Sequence, residues 1–287
     1  MSRRASRRLE PGRDTGPVRI RSNPLLAAAR LCAICAATLC VFAGYLLHAG
    51  LSSRAARLAV AARWTRRWAG ALRSLAGLQV RFEGSRPPAG SFLAPNHSGY
   101  VDVLAIGSLV DCFFVAKAEV ARWPAVGTLF RSTHQIAVPR EDLRGLAETI
   151  ALTADRLRKA HSVCVFLEGT SSGNDRVLPF RPAMLQAAME AGACAVPVGI
   201  RWAASRGGVD ISEDVAYWKD HVFGPHAWRL LGLRGITAVV GFGEPISCHG
   251  RTRKELAAAL EYEAARLSGL PRVTDDRPEM QRRSGPA

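Results

Sequence analysis

The apolar and polar positions divide the chain into two unlike parts. Near the start, Leu31 to Leu51 forms an apolar run of 21 residues in which His48 is the only side chain that readily takes a charge. About 20 apolar residues cross the hydrocarbon layer of a bilayer, so the run is long enough for a membrane helix. A cleaved signal peptide has an apolar region of about 7–15 residues. This run is longer and begins well inside the chain, which favours a membrane anchor over a signal peptide or a buried core helix. Arg30 and Arg54 flank it, so charge bias sets no orientation, and spanning and re-entrant helices both stay open. Residues 54–77 predict a second, partly amphipathic helix. Ala61, Trp64, Trp68, Leu72 and Leu75 recur at three- and four-residue spacing, with Arg63, Arg66 and Arg73 mostly off that stripe. Trp and Arg beside an apolar run suit a membrane interface, and the same face suits packing on a domain.

From residue 79 the pattern changes to short apolar runs alternating with helical periodicity. Strands are expected at 79–83, 91–94, 112–116, 135–138, 162–167, 195–200 and 236–241. Helices are expected at 100–109, 124–131, 142–160, 181–191, 213–220 and 252–268. Such alternation predicts an α/β fold: a mixed, largely parallel sheet flanked by helices, with N-terminal membrane-associated helices. Residues 1–23 read as a disordered basic tail, 24–77 as a membrane-anchoring helical segment, 78–269 as one domain, and 270–287 as a disordered tail. The stretch 205–235, with Gly207-Gly208 and Trp228, suggests a lid or a membrane-contacting insertion.

Charge sharpens this division. The net charge is +15, and residues 1–82 carry +13 of it, with fifteen Arg, no Lys, and only Glu10 and Asp14 as acids. A basic end on a balanced protein calls for a polyanionic surface, either anionic lipid or nucleic acid. The Arg clusters bracket an apolar run, which points to lipid and away from nucleic acid. Seven Cys, an odd number without zinc-ligand spacing, read as small hydrophobes in a reducing compartment.

The candidate chemistry begins at Pro95-Asn96-His97-Ser98-Gly99-Tyr100-Val101-Asp102, between an expected strand and an expected helix. Within one helix, residues five apart lie about 140° apart and do not meet. With His97 in the preceding turn the chain can fold back, and the Asp102 carboxylate can accept a hydrogen bond from the imidazole. The other ring nitrogen is then left to take a proton from an attacking hydroxyl. A second stretch, Val163 to Leu167 followed by Glu168-Gly169-Thr170-Ser171-Ser172-Gly173, runs a strand directly into a polar loop, where ligands of open α/β sheets bind. Between them lie Gly127-Thr128-Leu129-Phe130 and Ile136 to Arg140, an Arg placed after a strand. Last comes the apolar Val196-Pro197-Val198.

Four blocks in this order, over about residues 78–245, resemble the glycerolipid acyltransferase family, whose best-known members are the 1-acylglycerol-3-phosphate acyltransferases. Domain 78–269 is then an acyltransferase domain. The resemblance implies that His97 is the general base and that Asp102 orients it. The acceptor hydroxyl would attack the thioester of acyl-CoA or acyl carrier protein directly. Glu168, Gly169 and Thr170, with Arg140, would hold the acceptor head group, and Asn96, Gly127, Phe130, Ser171 and Ser172 also match substrate-binding blocks. No cofactor or metal is implied. The partners would be membrane lipids and the acyl donor, with the domain on the cytoplasmic face of the inner membrane.

Two positions depart from the family pattern. Leu167 replaces a Pro, and Ser171 replaces an Arg that the family associates with the acceptor phosphate. Arg176 and Arg181 follow downstream. Lyso-ornithine lipid acyltransferases resemble the chain in layout and act on an acceptor without that phosphate, so both acceptors stay open. A non-catalytic membrane scaffold of the same fold is the remaining alternative. His134, His161, His221, His226 and His249 read as structural or exposed, and Trp123, Trp202, Trp218 and Trp228 as packing or membrane-contact residues.

Overall fold

The structure is a computed structural model and describes residues 22–123, 126–139 and 142–273. Most of both expected tails, and Arg140, fall outside these residues. The described residues reach slightly past the expected tail boundaries at both ends. Asn23 caps the first helix, its Oδ1 accepting from the Leu26 N–H at 3.1 Å. At the other end Val177 and Val273 exchange a backbone bond of 3.0 Å.

Helix α1 is Pro24–Leu51, seven residues longer at its start than the apolar run. Arg30 does not end it, because the guanidinium Nη1 donates to Leu231 O at 2.9 Å and to Leu233 O at 2.6 Å. Of its 28 residues only Ala27 and Tyr45 are buried, whereas Leu25, Leu31, Leu39, Leu46, Leu47 and Leu51 are exposed. A core helix would hide those leucines. Its length and composition are enough to cross a membrane.

Helix α2, Arg57–Leu75, returns antiparallel to α1. Trp64 Nε1 donates to His48 Nδ1 at 3.1 Å and Trp68 Nε1 to Thr38 Oγ1 at 3.2 Å, in opposite order along the two helices. The tryptophans thus serve the pairing with α1. Val60, Ala61 and Ala62 of α2, with Trp64 packed against them, join Phe92 and Phe113 in one apolar cluster. Packing therefore runs continuously across residue 77.

Seven strands make one sheet: β1 Leu78–Glu83, β2 Phe92–Pro95, β3 Cys112–Lys117, β4 Ile136–Val138, β5 Ser162–Cys164, β6 Ala195–Ala204 and β7 Ile236–Phe242, in the order β1-β7-β6-β2-β5-β3-β4. Only β6 and β7 pair antiparallel. The strands alternate between two buried faces. Phe92 and Val163 point into one cluster with Leu185, Leu256 and Leu260, while Leu93 and Cys164 point into the other with Ile106, Val198 and Leu230. Burial on both faces is why these strands read as continuous apolar runs.

The flanking helices are α3 Tyr100–Gly107, α4 Val126–Ser132, α5 Leu143–Arg158, α6 Leu185–Ala191, α7 Ile211–Asp214, α8 Phe223–Leu231 and α9 Arg253–Ser268. Three expectations need correction. Strand β5 stops at Cys164, although Val165 N–H still donates to Leu93 O at 2.9 Å before the chain turns into the Glu168 loop. Strand β6 continues to Ala204, because its far half pairs with β7. The helix expected at 213–220 ends at Asp214, and the Tyr217 N–H is spent on Ser98 O at 2.7 Å. The stretch read as a lid contains α8, whose buried side holds His226, Leu230 and Leu231.

Helix α9 lies against β6 so closely that a Cβ on Gly199 would fall 2.4 Å from Ser268 N. Gly199→Ala should therefore cost about 1–3 kcal/mol, read as a lower denaturation midpoint of the detergent-solubilised protein. An unchanged midpoint would contradict this contact.

Candidate active site

Strands β6, β2 and β5 are parallel neighbours, so their carboxyl ends open on the same edge of the sheet. The chain leaves β2 through Asn96, His97 and Ser98 and enters α3 at Tyr100. The turn requires Gly99, with φ 146° and a Cβ position 2.8 Å from both Tyr217 N and Tyr217 Cβ. Asp102 sits in the first turn of α3 and faces back.

The Asp102 carboxylate is fully buried. Its Oδ2 accepts from His97 Nδ1 at 2.9 Å, Ser98 N–H at 2.6 Å and Gly99 N–H at 3.0 Å. Its Oδ1 accepts from Trp202 Nε1 at 2.7 Å. Four donors compensate the burial of one charge. Since a carboxylate only accepts, the proton of neutral His97 sits on Nδ1 and the lone pair on Nε2. Among the described residues none hydrogen-bonds Nε2, and the His97 side chain is 21% exposed. The ring stacks on Phe166 with centroids 3.8 Å apart.

The Glu168 loop is strapped to the same turn. His97 N–H donates to Glu168 Oε1 at 3.1 Å, and Ser172 N–H donates to His97 O at 2.8 Å. Glu168 is buried, and among the described residues no donor meets its Oε2 within ordinary hydrogen-bond geometry. Burial, with the charges of Asp102 and Glu261 adding, pushes its carboxyl up to about 9 against the opposing amides of His97 and Leu178. Glu168 is therefore a neutral acid at pH 7.

The other expected site residues divide into two groups. Gly169 and exposed Thr170 face the loop surface, with the Arg181 guanidinium beside Gly169. Ser171 Oγ donates to Tyr217 O at 2.6 Å, and Ser172 Oγ donates to Arg176 O at 3.0 Å. Asn96 is fully buried: its Nδ2 donates to Ile200 O at 2.9 Å and its Oδ1 accepts from Ile200 N–H at 2.6 Å. Both of its polar atoms extend the β6 ladder, so Asn96 is not placed to bind substrate, as its block position suggested. Gly127 and Phe130 lie on α4, where Gly127 is close-packed on Ala121 O of the 118–122 turn. Among the described residues neither hydrogen-bonds the His97 turn or the Glu168 loop.

Trp202 and Asn174 escaped the sequence reading. Asn174 clamps the Trp202 backbone, its Oδ1 accepting at 3.0 Å and its Nδ2 donating at 3.2 Å. The available signal was parity: Trp202 shares a strand face with Val196, Val198 and Ile200. His226 also gains partners. Its Nε2–H donates to Ala216 O at 3.0 Å, so its Nδ1 accepts from Tyr100 O–H at 3.0 Å. Burial, with His221 nearby, lowers it from the ordinary imidazole value. The Tyr100, Phe223 and Trp123 rings continue outward from the His97 turn to the exposed surface.

A base held by a buried carboxylate beside an apolar path suits proton removal from a lipid hydroxyl. A family model described as Acyltransferase matches residues 78–201. The chain is 32% identical over 203 residues to the lyso-ornithine lipid O-acyltransferase of Rhodobacter capsulatus, covering 69% of this chain and 72% of that protein. It is 27% identical over 173 residues to the 1-acyl-sn-glycerol-3-phosphate acyltransferase of Neisseria gonorrhoeae, covering 59% and 67%. Its fold matches the crystal structure of the 1-acyl-sn-glycerophosphate acyltransferase PlsC of Thermotoga maritima with a TM-score of 0.65 at 22% identity, covering 85% of this chain and 93% of that one.

Glu168 generates a prediction about pH. From the ordinary carboxyl range up to about pH 9, the folded protein keeps a proton on Glu168 that the unfolded chain releases. The folded state then binds more protons, so stability falls as pH rises through that window. Glu168→Gln cannot ionise. The wild-type melting temperature should drop relative to the variant between about pH 5 and about pH 9, and parallel curves would show that Glu168 is not held neutral. By its relatives and by its site, the chain belongs to the acyltransferase family.

Proposed function

We propose that the enzyme transfers a fatty acyl group from acyl-CoA or acyl carrier protein to the hydroxyl of a lyso-lipid of the lyso-ornithine kind, at the cytoplasmic face of the membrane that holds α1. The observation that carries the chemistry is the 2.9 Å bond from His97 Nδ1 to Asp102, which turns the Nε2 lone pair outward. Nε2 takes the hydroxyl proton as the oxygen attacks the thioester carbonyl. The new C–O bond forms, the C–S bond breaks, and the proton passes to the departing thiolate. A thioester is already activated, so positioning and base catalysis suffice in kind, without a metal or an organic cofactor. Neutral Glu168 avoids placing a second negative charge beside the base. Gly169 and Thr170, with Arg140 following β4, hold the head group.

Ser171 supports an acceptor without a phosphate monoester. Its hydroxyl is committed to Tyr217 O, so this loop position presents no cation. The similarity to the Rhodobacter capsulatus lyso-ornithine lipid O-acyltransferase supports the same choice. Lysophosphatidic acid is the second reading, favoured by the Arg181 guanidinium beside Gly169.

The test is an acceptor screen of the purified enzyme with radiolabelled acyl-CoA and acyl carrier protein donors. Lyso-ornithine lipid should be preferred. A preference for lysophosphatidic acid would overturn the acceptor and leave the chemistry standing. His97→Ala should lower kcat by about 10²–10⁴-fold on every acceptor. Equal turnover by wild type and His97→Ala would overturn the mechanism.

A further inference from the structure

We infer that Trp202 is a positioning residue for acyl transfer, acting on His97 through the far oxygen of Asp102. This rests on the reading of His97 as the base. The two carboxylate oxygens are used differently. Oδ2 gathers His97 and two amides of its own turn, whereas among the described residues Oδ1 has only the indole N–H of Trp202, at 2.7 Å. An indole N–H can only donate and does not titrate in the working pH range. It is therefore a fixed partner for an oxygen that would otherwise be buried and bare.

The indole is held rigidly. Trp202 is 2% exposed, and its backbone is clamped by Asn174 from the loop after Glu168. Two residues earlier on β6, Ile200 is clamped in the same way by Asn96, the residue directly before His97. Strand β7 holds the other edge of Trp202, in register with Ala238. The loops after β2 and β5 are thus keyed to β6 at residues 200 and 202, and the side chain of residue 202 reaches Asp102. Packing alone would not require a nitrogen at the ring edge that faces the carboxylate.

Each donor to a carboxylate stabilises its anion and moderates its pull on other protons. With the indole donor gone, the Asp102 carboxylate pulls harder on the imidazolium proton, which removes free base as pH falls and moves the acid limb of the rate profile to higher pH. The freed oxygen also lets the carboxylate rotate away from His97 Nδ1. In metal sites the partners that hold a ligand from behind are commonly worth about 10–100-fold, and the same scale is taken for the partner of Asp102.

Trp202→Phe keeps an aromatic ring in the core and deletes the donor. The profile of kcat/KM against pH is to be compared for this variant, wild type and His97→Ala. The expected result is a kcat reduced about 10–100-fold with little change in KM, and an acid limb displaced upward. A reduced kcat with the limb unmoved would assign Trp202 to packing alone, and full activity would remove the inference altogether. Should His97→Ala remain active, the base assignment fails first, so the two failures are distinguishable. If Trp202→Phe does not fold, Asn174→Ala carries the test. It leaves the indole in place but frees its backbone, and the limb should move the same way by less; an unmoved limb there would equally overturn the inference.

Discussion

Burying the Asp102 charge is the constraint on which the rest of the site depends. A carboxylate removed from water is tolerated only when donors replace its hydration. Here the donors come from the turn, the imidazole and the neighbouring strand β6. Meeting them dictates a glycine at residue 99, where φ is 146° and Tyr217 leaves no room for a Cβ. It also dictates the register of β6, because an indole displaced by one residue would point to the opposite face of the sheet. The two asparagine clamps fix that register at residues 200 and 202.

The neighbouring carboxyl is treated in the opposite way. Glu168 is as deeply buried as Asp102, but one oxygen meets the His97 amide and the other has no partner within ordinary geometry among the described residues. Proximity to Asp102 adds a further reason to stay protonated. Two acids beside one imidazole thus differ in the number of N–H groups that reach each, and burial keeps the one with fewer, Glu168, protonated.

Local pattern carried most of the scaffold. Each of the seven expected strands exists, and the central ones β2, β5 and the first half of β6 are short apolar runs with both faces buried. The His97–Asp102 pair was legible because strand, turn and helix follow one another within a few residues. What was not legible depends on distant partners. Asn96 and Asn174 look like loop asparagines until β6 lies beside them, and Trp202 looks like core until Asp102 is placed over its ring edge. Residues 215–219 have helical composition, yet Tyr217 gives its N–H to Ser98 and its carbonyl to Ser171, so no helical turn forms there. Arg30 looked like the end of an apolar segment because the carbonyls of Leu231 and Leu233, about two hundred positions away in the chain, were not in view.

Position 171 joins specificity to this scaffold. In the glycerolipid acyltransferases it resembles, an arginine at that place is associated with the acceptor phosphate. In this chain the serine hydroxyl instead bonds Tyr217 O at 2.6 Å, and Tyr217 N–H in turn bonds Ser98 O at 2.7 Å, next to His97. The loop after β5, the segment after α7 and the catalytic turn are tied through one small side chain. A guanidinium can donate to a carbonyl too, but it is far longer, so it could not keep this short contact while reaching outward to a phosphate. On the proposed reading of residue 171, head-group choice and loop anchoring compete for the same position. Regaining a phosphate ligand at residue 171 requires another anchor for Tyr217, and hence for the turn that carries His97.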